Sequence, residues 1–304
     1  MEQRSLKDRV IVVTGAGRGL GLAYALDLAS RGAKVVVNTR PRPSGQPASA
    51  EAVVERIRAA GGEAVACALG VEQDDAGDRL LEAALAAFGR IDGLVNNAGA
   101  PEARSLHKQT LAELRAVFDI NFFGTVSATL PIYRHMRDQG AGRIAITTSA
   151  AGLHGVHGMA AYSSSKAALI GLMRVIALEG ASRGVHANAV APYALTGMTE
   201  AYVTDEVGQA MPPEYVAPVV SWLMTAACPL NGETLVAGAG KVRRAVRIEG
   251  PGVQFDPPGE VSPDDLTAAM GPLMSLEDWT LPTDGNAAFE AFLKARPATA
   301  VRLS

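Results

Sequence analysis

Little in this chain of 304 residues marks it for the cell surface, a membrane or a nucleic acid. It has only two cysteines, Cys67 and Cys228, so neither a disulfide framework nor a cysteine-rich metal site is indicated. Charge of either sign is scarce in excess: 28 Lys and Arg stand against 31 Asp and Glu, a net charge of -3. Such a balance gives no general attraction to nucleic acid or to an anionic membrane. Long hydrophobic runs are missing too. The least charged stretch, "IAITTSAAGLHGVHGMAAYSSS", is interrupted by Gly, His, Ser and Thr and makes a poor membrane span. The start, "MEQRSLKDRVIVV", lacks the apolar core and cleavage site of a signal peptide, and the final "RLS" is not the peroxisomal "SKL". These absences lead us to expect a cytoplasmic protein with no nucleic-acid partner, no membrane partner and no metal.

What the chain does have is alternation. It is 48% hydrophobic and 19% charged, enough for a sizeable core in one large domain, or in one domain plus an extension. Short β-branched runs read as strands at 9–14, 34–39, 63–69, 91–97, 142–149, 186–191 and 232–238. Helical spacing fills the intervals at 19–32, 49–62, 75–89, about 111–139, the segment around 162–166, and 213–227. Strands alternating with helices predict an α/β fold: a doubly wound, Rossmann-type, seven-stranded parallel sheet with helices on both faces. We assign residues 1–240 to this dinucleotide-binding catalytic domain and 241–304 to a C-terminal extension. "RPRPSGQPASA" (40–50) reads as a loop inserted after the second strand, and "EGPGVQFDPPGEVSPDD" as a loop or linker opening the extension. Two short helices are expected beyond it, in "DDLTAAMGPLM" and "NAAFEAFLKA".

"TGAGRGLG" (14–21) joins the first strand to the first helix. Gly15, Gly19 and Gly21 permit a tight turn, close approach of backbone to a phosphate, and close helix packing. The helix N-terminus, through Arg18, Gly19 and Leu20, offers free N–H groups to a pyrophosphate. A glycine-rich turn alone is often just a turn; the strand before it and the helix after it favour nucleotide binding. The second strand ends "NTRPRP", and the first acid after it is Glu51. NAD enzymes of this architecture usually carry an acid at the strand end for the ribose 2′-hydroxyl. Here Asn38 and Thr39 are neutral, Arg40 follows, and Arg18 lies in the glycine loop. Guanidinium groups without a carboxylate suit a 2′-phosphate, so NADP is the preferred cofactor, with NAD as the alternative. The competing reading makes Arg40 and Arg42 solvated loop charges.

"YSSSK" (162–166) puts Tyr162 and Lys166 four residues apart, neighbours on one face of a helix. A tyrosine hydroxyl titrates at about 10, and a nearby ammonium favours its phenolate and lowers that value. A tyrosine tuned in this way can exchange a proton with an alcohol or carbonyl while a nicotinamide exchanges a hydride. Taken alone, the pair reads as a solvated helix face.

Together the motifs resemble the short-chain dehydrogenase/reductase family. "TGAGRGLG", "NNAG" (96–99), Ser149 in "ITTSAAG" and "YSSSK" stand in order, and the resemblance covers about residues 6–240. It implies that Tyr162 is the general acid/base, that Lys166 lowers its pKa and holds the nicotinamide ribose, and that Ser149 hydrogen-bonds the reacting oxygen. Asn121 in "DINFFG" would support a proton-relay water, and Asn97, Ala98 and Gly99 would lie beside the cofactor. Other readings stay open: Asn121 as an ordinary helix residue, Thr147 or Thr148 as the active hydroxyl, and His154 and His157 as loop residues. Two departures stand out. The family's frequent Asp against the adenine is replaced at "GV", leaving Val71 to hold the ring, and its "PG" after the sixth strand is Pro192–Tyr193, which sets a bulky side chain near the nicotinamide.

A narrower likeness runs to the (3R)-hydroxyacyl-CoA dehydrogenase portion of peroxisomal multifunctional β-oxidation enzymes and to bacterial single-domain relatives. It is carried by "AYALDLASRGAKVVVN", "NAVAPYALTGMTE" and "PPEYVAPVVSWLMTAACPLNGETLVAGAGKVRR". That subgroup carries "ND" where this chain has "NT", and uses NAD. The likeness implies a homodimer or homotetramer acting on a small molecule, a 3-hydroxyacyl/3-oxoacyl thioester. A ketoreductase on a free or carrier-bound ketone and a non-catalytic nucleotide-binding protein are the alternatives. The substrate loop is expected at 193–211, with Met198, Tyr202 and Met211 for apolar contact and the acids Glu200, Asp205 and Glu206. Arg243 and Arg244 would be the nearest source of charge for a coenzyme A phosphate.

Overall fold

Apolar runs too short for helices become fully buried strands. β1 (Val10–Val13) is buried at every position, and β2 (Lys34–Thr39) at all but its first. The computed structural model describes residues 6–43, 46, 48–195, 204–256, 261–294 and 300–302. Met198, Glu200 and Tyr202 of the expected substrate loop lie outside them. The chain forms two compact units, Met1–Ala245 and Val246–Ser304.

In the first unit, β1 leads through α1 (Gly19–Ser30) to β2, then α2 (Ala50–Ala59), β3 (Glu63–Ala68), α3 (Ala76–Phe88) and β4 (Gly93–Asn96). α4 (Leu111–Phe118) and α5 (Gly124–Gln139) precede β5 (Gly142–Thr147), and the short α6 (Ala150–His154) and long α7 (Ala160–Ala181) precede β6 (Val185–Pro192). α8 (Asp205–Gln209) and α9 (Ala217–Leu223) lead to β7 (Thr234–Gly238) and β8 (Lys241–Ala245). The strand order is β3-β2-β1-β4-β5-β6-β7-β8. β1 pairs in parallel with both β2 and β4, so the order reverses there and a crevice opens at the carboxyl ends of the strands. Core side chains divide between the two faces of the sheet. Tyr24, Leu28 and Val220 belong to one cluster, and Leu80, Ile132 and Met173 to the other.

Two differences from the sequence reading matter. The sheet has an eighth strand: β8 turns back on β7 through Ala239 and Gly240, both at positive φ, and pairs antiparallel, Leu235 opposite Arg244. Its exposed "KVRR" lacks the apolar run of a buried strand, as suits a sheet edge. The first unit therefore continues to Ala245. The helix read as 111–139 is also not continuous. A capping box of Thr110 and Glu113 starts α4, and a π-turn, Asp119–Phe123, separates it from α5.

The second unit, by itself, has a parallel pair, β9 (Gln254–Asp256) with β10 (Ala300–Arg302), and helices α10 (Pro263–Ala268), α11 (Met270–Leu273) and α12 (Gly285–Lys294). α10–α11 and α12 match the two expected helices, whereas β9 falls in a stretch read as loop. Among the described residues no helix is long and apolar enough to cross a membrane, and no cluster of His, Cys, Asp and Glu could hold a metal.

Candidate active site

Close backbone packing explains the glycines between β1 and α1. Gly15 takes φ +64°, and a Cβ there would stand 2.8 Å from Ala98 Cα. A Cβ on Gly17 would collide with the Ala48 carbonyl, and one on Gly21 with the Gly15 carbonyl. β4 braces this loop from the side. Asn97 Nδ2 donates to the Thr14 and Gly15 carbonyls at 3.1 and 3.2 Å, and the N–H groups of Asn97 and Ala98 donate to Thr14 Oγ1. The side chain of Asn97 thus holds the glycine turn, although the residue also lines the cleft.

The cleft has a volume of about 350 Å³. Of the residues singled out in the sequence, Gly15, Arg18, Gly19, Leu20, Gly21, Thr39, Arg40, Val71, Asn97, Ala98, Gly99, Ser149, Tyr162, Lys166 and Pro192 all line it. Among the described residues its charged lining is Arg18, Arg40, Arg42 and Lys166, all cations, with no carboxylate. Asn38, at the end of β2, turns inward and donates to the Cys67 and Leu69 carbonyls, both at 3.0 Å, while Thr39 Oγ1 donates to the Arg40 carbonyl at 3.1 Å.

At the other end, Lys166 sits on the buried face of α7 with 3% of its surface exposed. Its Nζ donates to the Thr147 carbonyl at 2.8 Å. Burial pulls its pKa down to about 8. Thr148 Oγ1 donates to the Lys166 carbonyl at 2.7 Å, which commits that hydroxyl to the helix backbone. Ser149 caps α6, accepting from Ala151 N at 3.1 Å. Of the three neighbouring hydroxyls, Ser149 is the one that acts on the Tyr162 pKa.

The expected tuning of Tyr162 by Lys166 is not what this site shows. Burial raises the Tyr162 pKa above its ordinary value, with the Ser149 hydrogen bond opposing the rise. The reason is placement: the ammonium lies 5.9 Å from the ring centre and is directed at Thr147.

Asn121 and Tyr193 also stand differently from expectation. Asn121 is fully buried in the π-turn and does not line the cleft. Its Oδ1 accepts from Ala100 N at 2.7 Å, and its Nδ2 donates to the Ala100 carbonyl and to Ser165 Oγ, both at 3.1 Å. Its own carbonyl accepts from Thr125 Oγ1 at 2.8 Å. Tyr193 is outside the cleft lining, which passes from Pro192 to Ala194. Its N–H extends the ladder to the Ala237 carbonyl at 2.7 Å, and its side chain is 48% exposed. The strand pairing thus carries Tyr193 out of the cleft lining. Arg244, expected to meet a coenzyme A phosphate, forms a two-pronged pair with Glu233 at 2.7 Å. His157 is an exposed loop residue, whereas His154, read as a loop residue, is the exposed last residue of α6.

Gly17 and Ala48 belong to the cleft without having been singled out, and Arg42, which the competing reading made a solvated loop charge, lines it as well. Gly17 was visible inside "TGAGRGLG"; Ala48 carried no signal, because the fold of the 40–50 loop brings it there. Glu72 escaped notice too. It pairs with Arg40 at 3.3 Å, across strands that only the topology makes neighbours.

Sheet topology and cleft chemistry together define a class: a nucleotide-binding oxidoreductase of the doubly wound α/β type. The short chain dehydrogenase family matches over residues 9–207, and the chain belongs to that family. A short-chain type dehydrogenase/reductase of Mycobacterium tuberculosis is 41% identical over 89% of this chain and 96% of that one. The 3-oxoacyl-[acyl-carrier-protein] reductase of Synechocystis is 41% identical over 78% of this chain and 98% of its own length. Among solved structures, full-length peroxisomal multifunctional enzyme type 2 from Drosophila melanogaster superposes with a TM-score of 0.82 at 32% identity. That match takes in 95% of this chain but 49% of that one, so the chain spans about half of the Drosophila enzyme. The protein is accordingly an oxidoreductase that binds a nicotinamide cofactor and a small-molecule substrate.

Proposed function

We propose that the protein is an NADP-dependent oxidoreductase interconverting 3-oxoacyl and 3-hydroxyacyl thioesters. The observation that carries this reading is one cleft whose charged lining is cationic throughout and whose inner end holds Ser149, Tyr162 and Lys166. A dinucleotide with an extra phosphate is the polyanion such a lining favours. The glycine turn and the N-terminus of α1 would hold the pyrophosphate, and Arg18, Arg40 and Arg42 the 2′-phosphate. Val71 would pack on the adenine, with Asn97, Ala98, Gly99 and Pro192 toward the nicotinamide end. Bound there, the cofactor supplies or accepts the hydride.

The chain's own residues handle the oxygen and its proton. The Ser149 hydroxyl, beside Tyr162 at the inner end of the cleft, would donate to the substrate oxygen. Tyr162, its pKa raised by burial, is a neutral phenol near neutral pH and suits donation of its proton to a carbonyl oxygen. In the reverse direction the same oxygen takes a proton from an alcohol. Lys166 adds positive charge behind the tyrosine and a donor for the nicotinamide ribose. Asn121 is a positioning residue: it fixes Ala100 and, through it, Gly99, where a Cβ would stand 3.2 Å from Asn121 Oδ1 and 3.4 Å from Lys166 Nζ.

Thioester chemistry is supported by the name of the Synechocystis relative. Exposed apolar side chains on neighbouring helices, Leu111 and Leu130 with Val175 and Leu178, support a homo-oligomer, a dimer or tetramer joined through α4–α5 and α7. Steady-state kinetics on acetoacetyl-CoA and longer 3-oxoacyl-CoAs, beside the matching free ketones and with both cofactors, tests the substrate. A clear advantage of the thioesters in kcat/KM is expected; equal values for the free ketones would contradict the thioester assignment.

A further inference from the structure

At the adenosine end of the cleft, three guanidinium groups do not stand in the same electrostatic position. Arg18 and Arg42 have no carboxylate within ion-pair distance among the described residues, whereas Arg40 Nε lies 3.3 Å from Glu72 Oε1. Both partners are partly solvent-exposed, Arg40 more than Glu72. Strand pairing creates this meeting. β2 and β3 run in parallel with Thr39 opposite Ala68, and Leu69 N donates to the Thr39 carbonyl at 2.9 Å. The turn that follows β3 therefore lies alongside the residue that follows β2. Gly70 completes the arrangement. A Cβ on it would stand 2.5 Å from Glu72 Oε1 and 2.8 Å from Oε2, so the carboxylate rests in the space that a side chain at position 70 would fill.

We propose that Glu72, seated over Gly70, is a specificity-determining residue for the cofactor. This rests on the reading that the arginines face the ribose 2′-position. Glu72 neutralises Arg40 while the 2′-position carries only a hydroxyl. A 2′-phosphate has to take Arg40 from that carboxylate and tolerate the negative charge beside it. The carboxylate thus holds down the preference for NADP that three unpaired arginines would give, and keeps NAD within reach of the same site. No residue of the catalytic end takes part.

Isothermal titration of adenosine 2′,5′-bisphosphate and of AMP, which differ only in the 2′-phosphate, tests this at low ionic strength, where exposed charges are least screened. Glu72→Gln should tighten the bisphosphate by about two- to fivefold, the range of one exposed ion pair, and leave AMP unchanged. Gly70→Ala, which displaces the flexible end of Glu72, should move the bisphosphate in the same direction. In an Arg40→Leu background the Glu72→Gln effect should disappear. An unchanged bisphosphate affinity, an equal gain for AMP, or a gain that persists without Arg40 would each overturn the inference while leaving the NADP reading intact. Wild-type protein that binds AMP as tightly as the bisphosphate would overturn both.

Discussion

Lys166 Nζ stands 5.9 Å from the centre of the Tyr162 ring, on the same face of α7. The four-residue spacing delivers the neighbourhood, and burial decides the electrostatics. The same low-polarity surroundings push the tyrosine hydroxyl up and the lysine ammonium down. Both groups are therefore held near their neutral forms more strongly than the sequence spacing suggests, and the cleft gains its positive charge at that end only below about pH 8.

The shift of Lys166 makes stability depend on pH. Its folded value falls from 10.5 to about 8, so between those limits the unfolded chain keeps a proton that the folded chain has released. Stability therefore rises with pH across that window; below it both states are protonated and the cost of burying the ammonium stays constant. Denaturant unfolding at pH 8 and pH 9.5 should show wild type gaining about 2 kcal/mol on Lys166→Met over that interval. A difference that stays flat would mean that the buried amine does not titrate there.

Cofactor choice follows from the end of β2. Wild-type protein should bind NADPH more tightly than NADH. Thr39→Asp together with Arg40→Leu should reverse that order, since a carboxylate repels the 2′-phosphate and accepts from a free 2′-hydroxyl. Fluorescence titration with both reduced cofactors measures the ratio. Tighter NADH binding by the wild type would contradict the assignment before any variant is made.

Asn121 satisfies both backbone groups of Ala100 from a fully buried position. Asn121→Ala leaves an N–H and a carbonyl without partners, at a cost of about 1–3 kcal/mol each. Unfolding experiments should register that loss, and kcat should fall as Gly99 loses its fixed place beside Lys166. A variant with wild-type stability would show that water replaces the amide without cost and that Asn121 does not hold this loop.

Much of this was readable in advance for a physical reason. "VIVV" and "VVV" are buried on both faces of the sheet, so their composition alone announces strands. The glycine turn and the Tyr162–Lys166 pair are local patterns and survive in the sequence as spacing. What stayed hidden depends on contacts between distant segments. β8 is an exposed edge with three cations in five residues, and nothing in "KVRRA" separates it from a loop. The π-turn at Asn121 contains neither Gly nor Pro. Tyr193 leaves the cleft because of its pairing with β7, and Glu72 meets Arg40 because β2 and β3 are neighbours.

The central claim is that Tyr162 passes the proton between protein and substrate oxygen. Tyr162→Phe keeps the ring and its packing and removes only the hydroxyl. NADPH oxidation with acetoacetyl-CoA, followed spectrophotometrically for wild type and variant alongside cofactor titrations, tests it most directly. The account predicts a fall in kcat of at least about 100-fold, the low end for losing a general acid, with NADPH affinity nearly unchanged. A Tyr162→Phe enzyme that keeps most of its turnover would contradict it.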